Sequence, residues 1–297
     1  MTDAPPALFD SHAHFFTADT ARYPIDVSGA REGEETIRAR IAAEAMDAER
    51  LIALWDRHGV TGGAAVQYNT IYKTDNRYAV DVADAWPERA AAVLILNAAD
   101  PDTPALLRTL TLAHNVVGLR LFGYPDAQGE YPWLDSPAAL RTWDVAAELG
   151  LSMVVMYAPG EPSAAALQRI AALAERYHPM PIAVDHCGWA GSDGARPFVG
   201  PEHHALALIE TVSLKFTQIN LNRLAARGAD ASAFVAEIVE VFGPERLMWG
   251  SDVGNTTVPY GDMVAQAIAA TARLDDAARR KVLHDNGRRL FGGSRRA

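Results

Sequence analysis

The feature that most constrains the fold of this chain is a regular alternation of short apolar runs with longer amphipathic stretches. Apolar runs bounded by turn residues and separated by helical stretches predict parallel strands that are buried on both faces. The predicted strands are 8–12, 62–67, 90–96, 116–121, 151–156, 181–185, 213–217 and 246–249. The predicted helices are 35–58, 75–86, 104–114, 137–149, 163–177, 202–211, 231–242 and 260–272, followed by a last helical stretch at 275–290.

Eight pairs of a strand and a helix favour a closed barrel over an open sheet. The chain has 297 residues, and a barrel of eight such units typically needs about 250. We therefore predict an α/β fold, a single (β/α)8 TIM barrel with an extra C-terminal helix, and one domain over residues 1–297. No G-x-G-x-x-G or G-x-x-x-x-G-K motif follows a predicted strand, which argues against the two commonest nucleotide-binding motifs.

The formal net charge of −10 argues against nucleic acid as a partner. Local arginines could still hold a small anionic substrate, which is the partner that we expect. The single cysteine, Cys187, cannot form an internal disulfide and is expected to be a core residue. Residues 1–7 lack the pattern of a secretion signal, and no apolar run approaches the roughly 18 residues of a membrane span. We expect a cytoplasmic location without membrane contact, and a homo-oligomer is compatible with these features.

Polar residues follow several predicted strands at the end where barrel enzymes place their active sites. His12 and His14 end the first strand, and residues two apart in an extended chain point to the same side. His186 follows the sixth strand and Asp252 the eighth. Each has another interpretation, since such histidines can be surface or core residues and Asp252 could cap the next helix. Their joint occurrence at equivalent positions predicts a catalytic site.

Five further polar residues lie at or just after strand ends and are candidate substrate-binding residues: Gln67, Asn69, Arg120, Tyr157 and Asn255. Arg120 could equally pair with a buried carboxylate, and Tyr157 could simply line the rim of the barrel. The loop at 15–34 is long enough to cover the pocket. His203 and His204, at a predicted helix start, are expected to be solvent-exposed.

Three segments in order along the chain resemble the amidohydrolase superfamily, of the amidohydrolase 2 type. They are FDSHAH at 9–14, VDHCG at 184–188 and LMWGSD at 247–252. TDNR at 74–77 and the segment 286–292 are similar to the branch that contains 2-pyrone-4,6-dicarboxylate lactonase and sugar-acid lactonases. The resemblance spans the whole chain.

This resemblance implies a hydrolase that opens a lactone or a similar ester-like bond. It implies that Asp252 activates water, that His186 polarises the carbonyl group, and that Arg120 binds a substrate carboxylate. His12 and His14 would bind a divalent metal, as in some members, or the substrate, as in others. Many metal-dependent relatives have a histidine after strand five, and 153–159 contains none. We therefore expect either no required cofactor or one divalent metal such as zinc, held by His12, His14 and Asp252.

The sequence leaves two other functions open. A metal-dependent, non-oxidative decarboxylase of the same superfamily would release CO2 from an aromatic or unsaturated acid. The other is a barrel that binds a small molecule without converting it. That function would not explain why a histidine or an aspartate occupies each expected catalytic position. Close relatives often have Trp-Pro where 253–255 reads VGN, so the sequence leaves the substrate open.

Overall fold

The computed structural model describes residues 6–160 and 162–293, and its centre is a parallel sheet of eight strands in sequential order. Between the last strand and the first, an isolated bridge joins Ala13 to Val253. The Asp252 N–H also donates to the His12 carbonyl at 2.7 Å. The strands thus form a nearly closed barrel, as the sequence predicted. The predicted domain limits of 1–297 include terminal residues outside the described ranges.

The elements alternate along the chain. The strands are β1 Leu8–Ala13, β2 Val60–Val66, β3 Ala90–Ile95, β4 Val116–Phe122, β5 Ser152–Met156, β6 Ile182–Val184, β7 Val212–Thr217 and β8 Leu247–Gly250. The helices are α1 Glu34–Glu44, α2 Ala48–Arg57, α3 Asn69–Tyr72, α4 Arg77–Ala85, α5 Thr103–Ala113, α6 Pro137–Glu148, α7 Pro162–Arg176, α8 Pro201–Ala207, α9 Gln218–Ala226, α10 Ala231–Phe242, α11 Tyr260–Ala270, α12 Asp276–Arg280 and α13 Asn286–Phe291. In the described part of the chain, none of the helices has both the length and the apolar character that a membrane crossing requires.

Three helical segments differ from the sequence prediction, and the short helix α3, which was not predicted, is one of them. The single helix predicted at 35–58 is two helices, because Met46 forms an antiparallel bridge with Phe16 and the Asp47 side chain caps the start of α2. Helix α9 was not predicted. Gln218 and Asn220 are on its buried side, so the apolar periodicity that indicates a helix is weak there.

The C-terminal helical stretch closes one end of the barrel. It is interrupted by a π-helical turn, Lys281–Asp285, between α12 and α13. Leu290 and Phe291 pack into the apolar interior with Phe9, Val93 and Met248. Gly293, just past α13, lies beside residues that precede β3 and β4. The side chains of Leu290 and Phe291 therefore fill the N-terminal end of the barrel with apolar groups, and the polar groups lie at the opposite end.

Candidate active site at the C-terminal mouth of the barrel

The four residues that the sequence predicted as catalytic lie together at the C-terminal end of the strands. The Nε2 atoms of His12 and His14 are 3.3 Å apart. Oδ1 of Asp252 lies 3.2 Å from Nε2 of His14 and 3.7 Å from Nε2 of His12. The ring of His186 is 5.8 Å from that of His12, measured between centroids. Residues separated by up to 240 positions meet here because each ends one strand of the same barrel.

Unusual backbone turns position two of these side chains in the site. His186 and Asp252 have φ angles of 53° and 56°, in the left-handed region that residues other than glycine seldom adopt. Such conformations cost on the order of 1–3 kcal/mol each and persist where surrounding contacts impose them. The turn after β6 is held by Tyr157 and His203, which both donate to the Gly188 carbonyl, at 2.8 and 2.9 Å. The expectation that His203 is solvent-exposed was therefore wrong, because its ring is buried against this turn.

The hydrogen-bond partners of the paired histidines fix which ring nitrogen carries the proton. Nδ1 of His12 faces a carboxylate oxygen of Asp185 at 3.2 Å, and Nδ1 of His14 faces the Val66 carbonyl at 2.9 Å. Both partners only accept, so both Nδ1 atoms donate. In the neutral rings both Nε2 lone pairs then point toward each other and toward Asp252. Three acceptors at such distances repel one another unless a cation or a proton lies between them.

The spacing of these three atoms fits a single metal ion. Zinc binds imidazole nitrogen and carboxylate oxygen at about 2.0–2.1 Å, so neighbouring ligands of a tetrahedral ion lie about 3.3–3.4 Å apart. The separations of 3.3, 3.2 and 3.7 Å among His12, His14 and Asp252 are close to that value. Burial lowers the pKa of His12 to about 3, against the opposing effect of Asp185, which keeps the ring neutral as a metal ligand must be. The structure thus has a possible metal site at these residues.

Asp185 connects the site to two buried cations, a role that the sequence did not reveal. One oxygen contacts His12, and the other accepts from Nε of Arg120 at 2.7 Å. Nζ of Lys215, on β7, lies 3.6 Å away. Burial acts to raise the pKa of Asp185, but these neighbours hold it well below its usual value. The ion pair confirms the alternative interpretation of Arg120 as the partner of a buried carboxylate, and a lysine within the apolar run at 213–217 was a second sequence signal of such a group.

The two oxygens of Asp252 have different surroundings. Oδ1 accepts from Nδ2 of Asn255 at 2.7 Å and faces the histidines, whereas the buried Oδ2 has no hydrogen-bond partner among the described residues. Burial acts to raise the pKa of Asp252, but the neighbouring imidazoles of His14, His12 and His186 lower it. Asp252 is therefore a carboxylate with one restrained oxygen and one available oxygen.

His186 is also buried, and its Nδ1 lies 2.8 Å from the Thr217 hydroxyl. Burial lowers the pKa of His186, so a neutral ring is favoured. Because the hydroxyl can donate or accept, it permits the tautomer in which Nε2 carries the proton. His186 lines the cavity described next, so this nitrogen is a candidate donor to a bound substrate.

A cavity of about 300 Å³ lies beside these groups. Three of the predicted substrate-binding residues, Asn69, Arg120 and Asn255, line it, as do residues 29–32 of the long loop after β1. Gln67 and Tyr157 do not line it. The amide of Gln67 donates to two backbone carbonyls of the following loop, and the hydroxyl of Tyr157 donates to the turn after β6. Both polar ends are buried in the scaffold, and the structure therefore gives these two residues a positioning role.

The cavity continues outward into a basic trough that the sequence did not predict. The trough has a volume of about 430 Å³ and shares Arg31 and Asn255 with the inner cavity. The guanidinium of Arg223 lies 4.7 Å from the ring centre of Trp189. Partial burial and the nearby Arg227 and Arg31 lower the pKa of Arg223. Arg223 is on α9, a helix that the sequence did not predict, so no sequence signal indicated its place.

These features define an α/β-barrel with a candidate metal centre of two histidines and one aspartate at its C-terminal mouth. The model of the amidohydrolase family (Amidohydro_2) matches residues 9–293, and the chain belongs to this family. No curated protein matches the chain.

Several solved structures share the fold. A candidate 2-pyrone-4,6-dicarboxylic acid hydrolase from Pseudomonas putida is 22% identical, with a TM-score of 0.71 over 97% of this chain and 98% of that one. A zinc-bound amidohydrolase from Burkholderia multivorans is 20% identical, with a TM-score of 0.70 over 96% and 98%. A 2,6-dihydroxybenzoate decarboxylase from Rhizobium is 16% identical, with a TM-score of 0.65 over 96% and 98%. Identities this low show a common fold, and both hydrolases and decarboxylases share it.

Proposed function

We propose that the protein hydrolyses a lactone, or a similar ester-like bond, of a small carboxylated substrate. The observation that carries this proposal is the unpaired oxygen of the buried Asp252, close to His186, which itself lines a cavity with basic walls. Hydrolysis of such a bond needs a base for water, a donor to the developing oxyanion and a hold on the substrate. The site offers one candidate for each need.

Asp252 is the proposed general base. Its Oδ1 is held by Asn255, so Oδ2 is free to accept a proton from the attacking water. When the Thr217 hydroxyl donates to Nδ1 of His186, the Nε2–H of that ring can donate to the carbonyl oxygen of the substrate. Removal of one donor of this kind typically costs about 10²–10³ in rate. The tight backbone turns at Asp252 and His186 keep both groups in place.

We also propose that one divalent cation, such as zinc, binds to His12, His14 and Oδ1 of Asp252. The spacing of these atoms and the fixed histidine tautomers support this assignment. The fold neighbour from Burkholderia multivorans was solved with zinc bound. A cation at such a site polarises a carbonyl group and makes water more acidic.

Basic side chains at the mouth support an anionic substrate. Arg31, Lys73 and Arg120 line the inner cavity, and Arg223 extends the basic wall outward. Arginine binds carboxylates through two parallel hydrogen bonds, which fix orientation as well as position. The proposed substrate therefore places the reactive carbonyl near His186 and a carboxylate toward Arg120 or Arg223.

A decarboxylase is the second candidate. Its support is the aromatic lining of the cavity, which includes Tyr68, Phe122, Tyr124 and Trp189 and suits an aromatic acid. The end of β5 argues against it, because Met156 and Tyr157 offer no further metal ligand there. Hydrolysis remains the proposal.

The test is a panel of lactones, including muconolactone, 2-pyrone-4,6-dicarboxylate and sugar-acid lactones, assayed for acid release with and without a metal chelator. In parallel, 2,6-dihydroxybenzoate is assayed for CO2 release. We expect hydrolysis of at least one carboxylated lactone, lost with chelator and restored by zinc. CO2 release without any lactone hydrolysis would establish the decarboxylase instead. Lactone hydrolysis that chelator leaves intact would refute the metal while retaining the hydrolase.

A further inference from the structure

A second cleft lies outside the barrel, between α2 and the segment that runs from β8 to the start of α11. Its volume is about 600 Å³, and none of its lining residues belongs to the cavity at the barrel mouth. Sites for small molecules typically measure about 300–1,000 Å³. The cleft is therefore large enough for a metabolite and separate from the inner cavity, although it shares Arg40, Thr256 and Thr257 with the basic trough. Arg50 and Arg57 line the cleft and not the trough.

Three arginines line this cleft. Arg50 and Arg57 are seven positions apart on α2, which places them on the same face of that helix. Arg40 reaches the cleft from α1, and His58 adjoins Arg57. The only carboxylate in the lining is Glu44. The local charge is thus positive, in a chain whose net charge is −10.

The three guanidinium groups form no ion pair with the carboxylates of the described residues. Arg40 donates to the Gly254 carbonyl at 2.7 Å, and Arg50 donates to the Ala45 carbonyl at 2.9 Å. These contacts use one N–H group each and leave the charge uncompensated. By contrast, Asp56, on the same helix, pairs with Arg89 at 2.7 Å. The acidic residue Asp56 of α2 therefore pairs with an arginine outside the cleft and does not neutralise the arginines that line it.

The opposite wall adds backbone donors. It includes Tyr260 and Gly261, the first residues of the eleven-residue helix α11, whose N-terminus favours negative charge. Gly261 packs against His58, because a Cβ there would lie 2.8 Å from Cε1 of that ring. The wall that carries the helix N-terminus is thereby held close to α2. Arginines on one side and a helix start on the other make a concave surface suited to an anion.

We propose that this surface, the arginine cleft, is a second binding site, and that it takes a compact polyanion. The chemistry is that of a small molecule carrying a phosphate group or several carboxylates, because arginine binds both through paired hydrogen bonds. The cleft borders the loop that carries Asp252 and Asn255, since Arg40 donates to the carbonyl of Gly254 in that loop. The proposal does not depend on which reaction the barrel mouth catalyses.

The test measures binding of inorganic phosphate and of tricarballylate to the full chain by calorimetry, at constant ionic strength set with chloride. Variants are R50Q/R57Q in the cleft, R223Q at the barrel mouth, and R141Q as an exposed arginine elsewhere. We expect a binding event with an affinity at least about tenfold lower in R50Q/R57Q and unchanged in R223Q and R141Q; binding at the barrel mouth would appear as a separate event that R223Q weakens. Loss of about tenfold corresponds to 1.4 kcal/mol, the scale of one charged hydrogen bond.

Three results would overturn the proposal: no binding of either anion at millimolar concentration, equal binding by R50Q/R57Q and the unmodified protein, or loss of binding in R223Q alone. Thermal unfolding with and without anion provides a second measurement, because a ligand that binds only the folded state raises the Tm. If the double variant does not fold, R57Q replaces it, since Arg57 makes no hydrogen bond or ion pair within the described structure. Binding of phosphate alone or tricarballylate alone would identify which of the two anions the cleft accepts.

Discussion

Nδ1 of His12 donates to Oδ1 of Asp185 across 3.2 Å, so a residue that follows β6 fixes the protonation of a ring on β1. The other oxygen of Asp185 holds Arg120, which lines the cavity. One carboxylate therefore orients both a proposed metal ligand and a proposed substrate-binding residue. Such outer partners of metal-bound histidines fix the tautomer and the orientation of the ring.

The first prediction concerns Asp185→Asn. We expect zinc affinity to fall by about 10- to 100-fold, because His12 loses the carboxylate that fixes its tautomer. We also expect a lower free energy of unfolding, since Arg120 and Lys215 lose their buried partner. Titration of zinc against a chromophoric chelator measures the first effect and urea unfolding the second. The control is D84N, which removes a carboxylate from the more exposed pair with His114; unchanged zinc affinity in D185N would contradict the prediction.

The second prediction concerns Asp252→Asn. With the best lactone from the panel, we expect kcat to fall by about 10²–10⁴-fold, because the amide cannot accept a proton from water. The fold should persist, since the side chain keeps its shape in a fully buried position. Initial rates and far-UV circular dichroism check the two parts. Turnover close to that of the unmodified protein in a folded D252N variant would refute the assignment of the base.

The third prediction concerns Arg223→Gln. We expect KM for a dicarboxylated lactone to rise by about tenfold or more with little change in kcat, because a charged hydrogen bond contributes roughly 1.5–3 kcal/mol. KM for a neutral lactone should not change. R141Q, an exposed arginine on α6, is the control. An equal rise in KM for neutral and charged lactones would show that Arg223 acts on the shape of the site and not on substrate charge.

The fourth prediction concerns the pH dependence of stability and Lys215. Burial lowers the pKa of Lys215 to about 8, although Asp185 opposes this effect, while an unfolded lysine titrates at about 10.4. Between these values the unfolded chain binds more protons than the folded chain, so the free energy of unfolding rises as pH increases through this window. The rise attributable to this group is on the order of 3 kcal/mol at most.

Comparison with Lys215→Met isolates that effect. We expect the difference in unfolding free energy between the two proteins to shift in favour of the lysine form from pH 7.5 to pH 9.5, because deprotonation relieves the buried charge. Methionine has a similar length and can pack against Phe291, whose ring centre lies 4.4 Å from Nζ. Urea unfolding at the two pH values provides the measurement. A difference that is independent of pH would show that Lys215 does not titrate in this window.

The sequence by itself determined the barrel and the strand ends that build the site. The apolar runs indicate strands that are buried on both faces, and the amphipathic stretches between them indicate helices. The order of strands and helices can therefore be predicted without knowledge of tertiary contacts. His12, His14, His186 and Asp252 could be found because they stand immediately after such runs. The pattern of apolar residues failed at α9. The polar residues Gln218 and Asn220 are buried there, so the sequence lacks the apolar periodicity that would predict a helix.

Only the tertiary structure decided how the side chains at those strand ends are used. Tyr157 and Gln67 occupy the expected positions, yet their polar ends bond to neighbouring backbone and not toward the cavity. Asp185 and Lys215 form one buried charge cluster with His12, and they come from different strands of the closed barrel. The physical reason is that the periodicity of apolar residues indicates whether a residue is buried. The partner of that residue depends on which distant strand lies beside it once the barrel has closed.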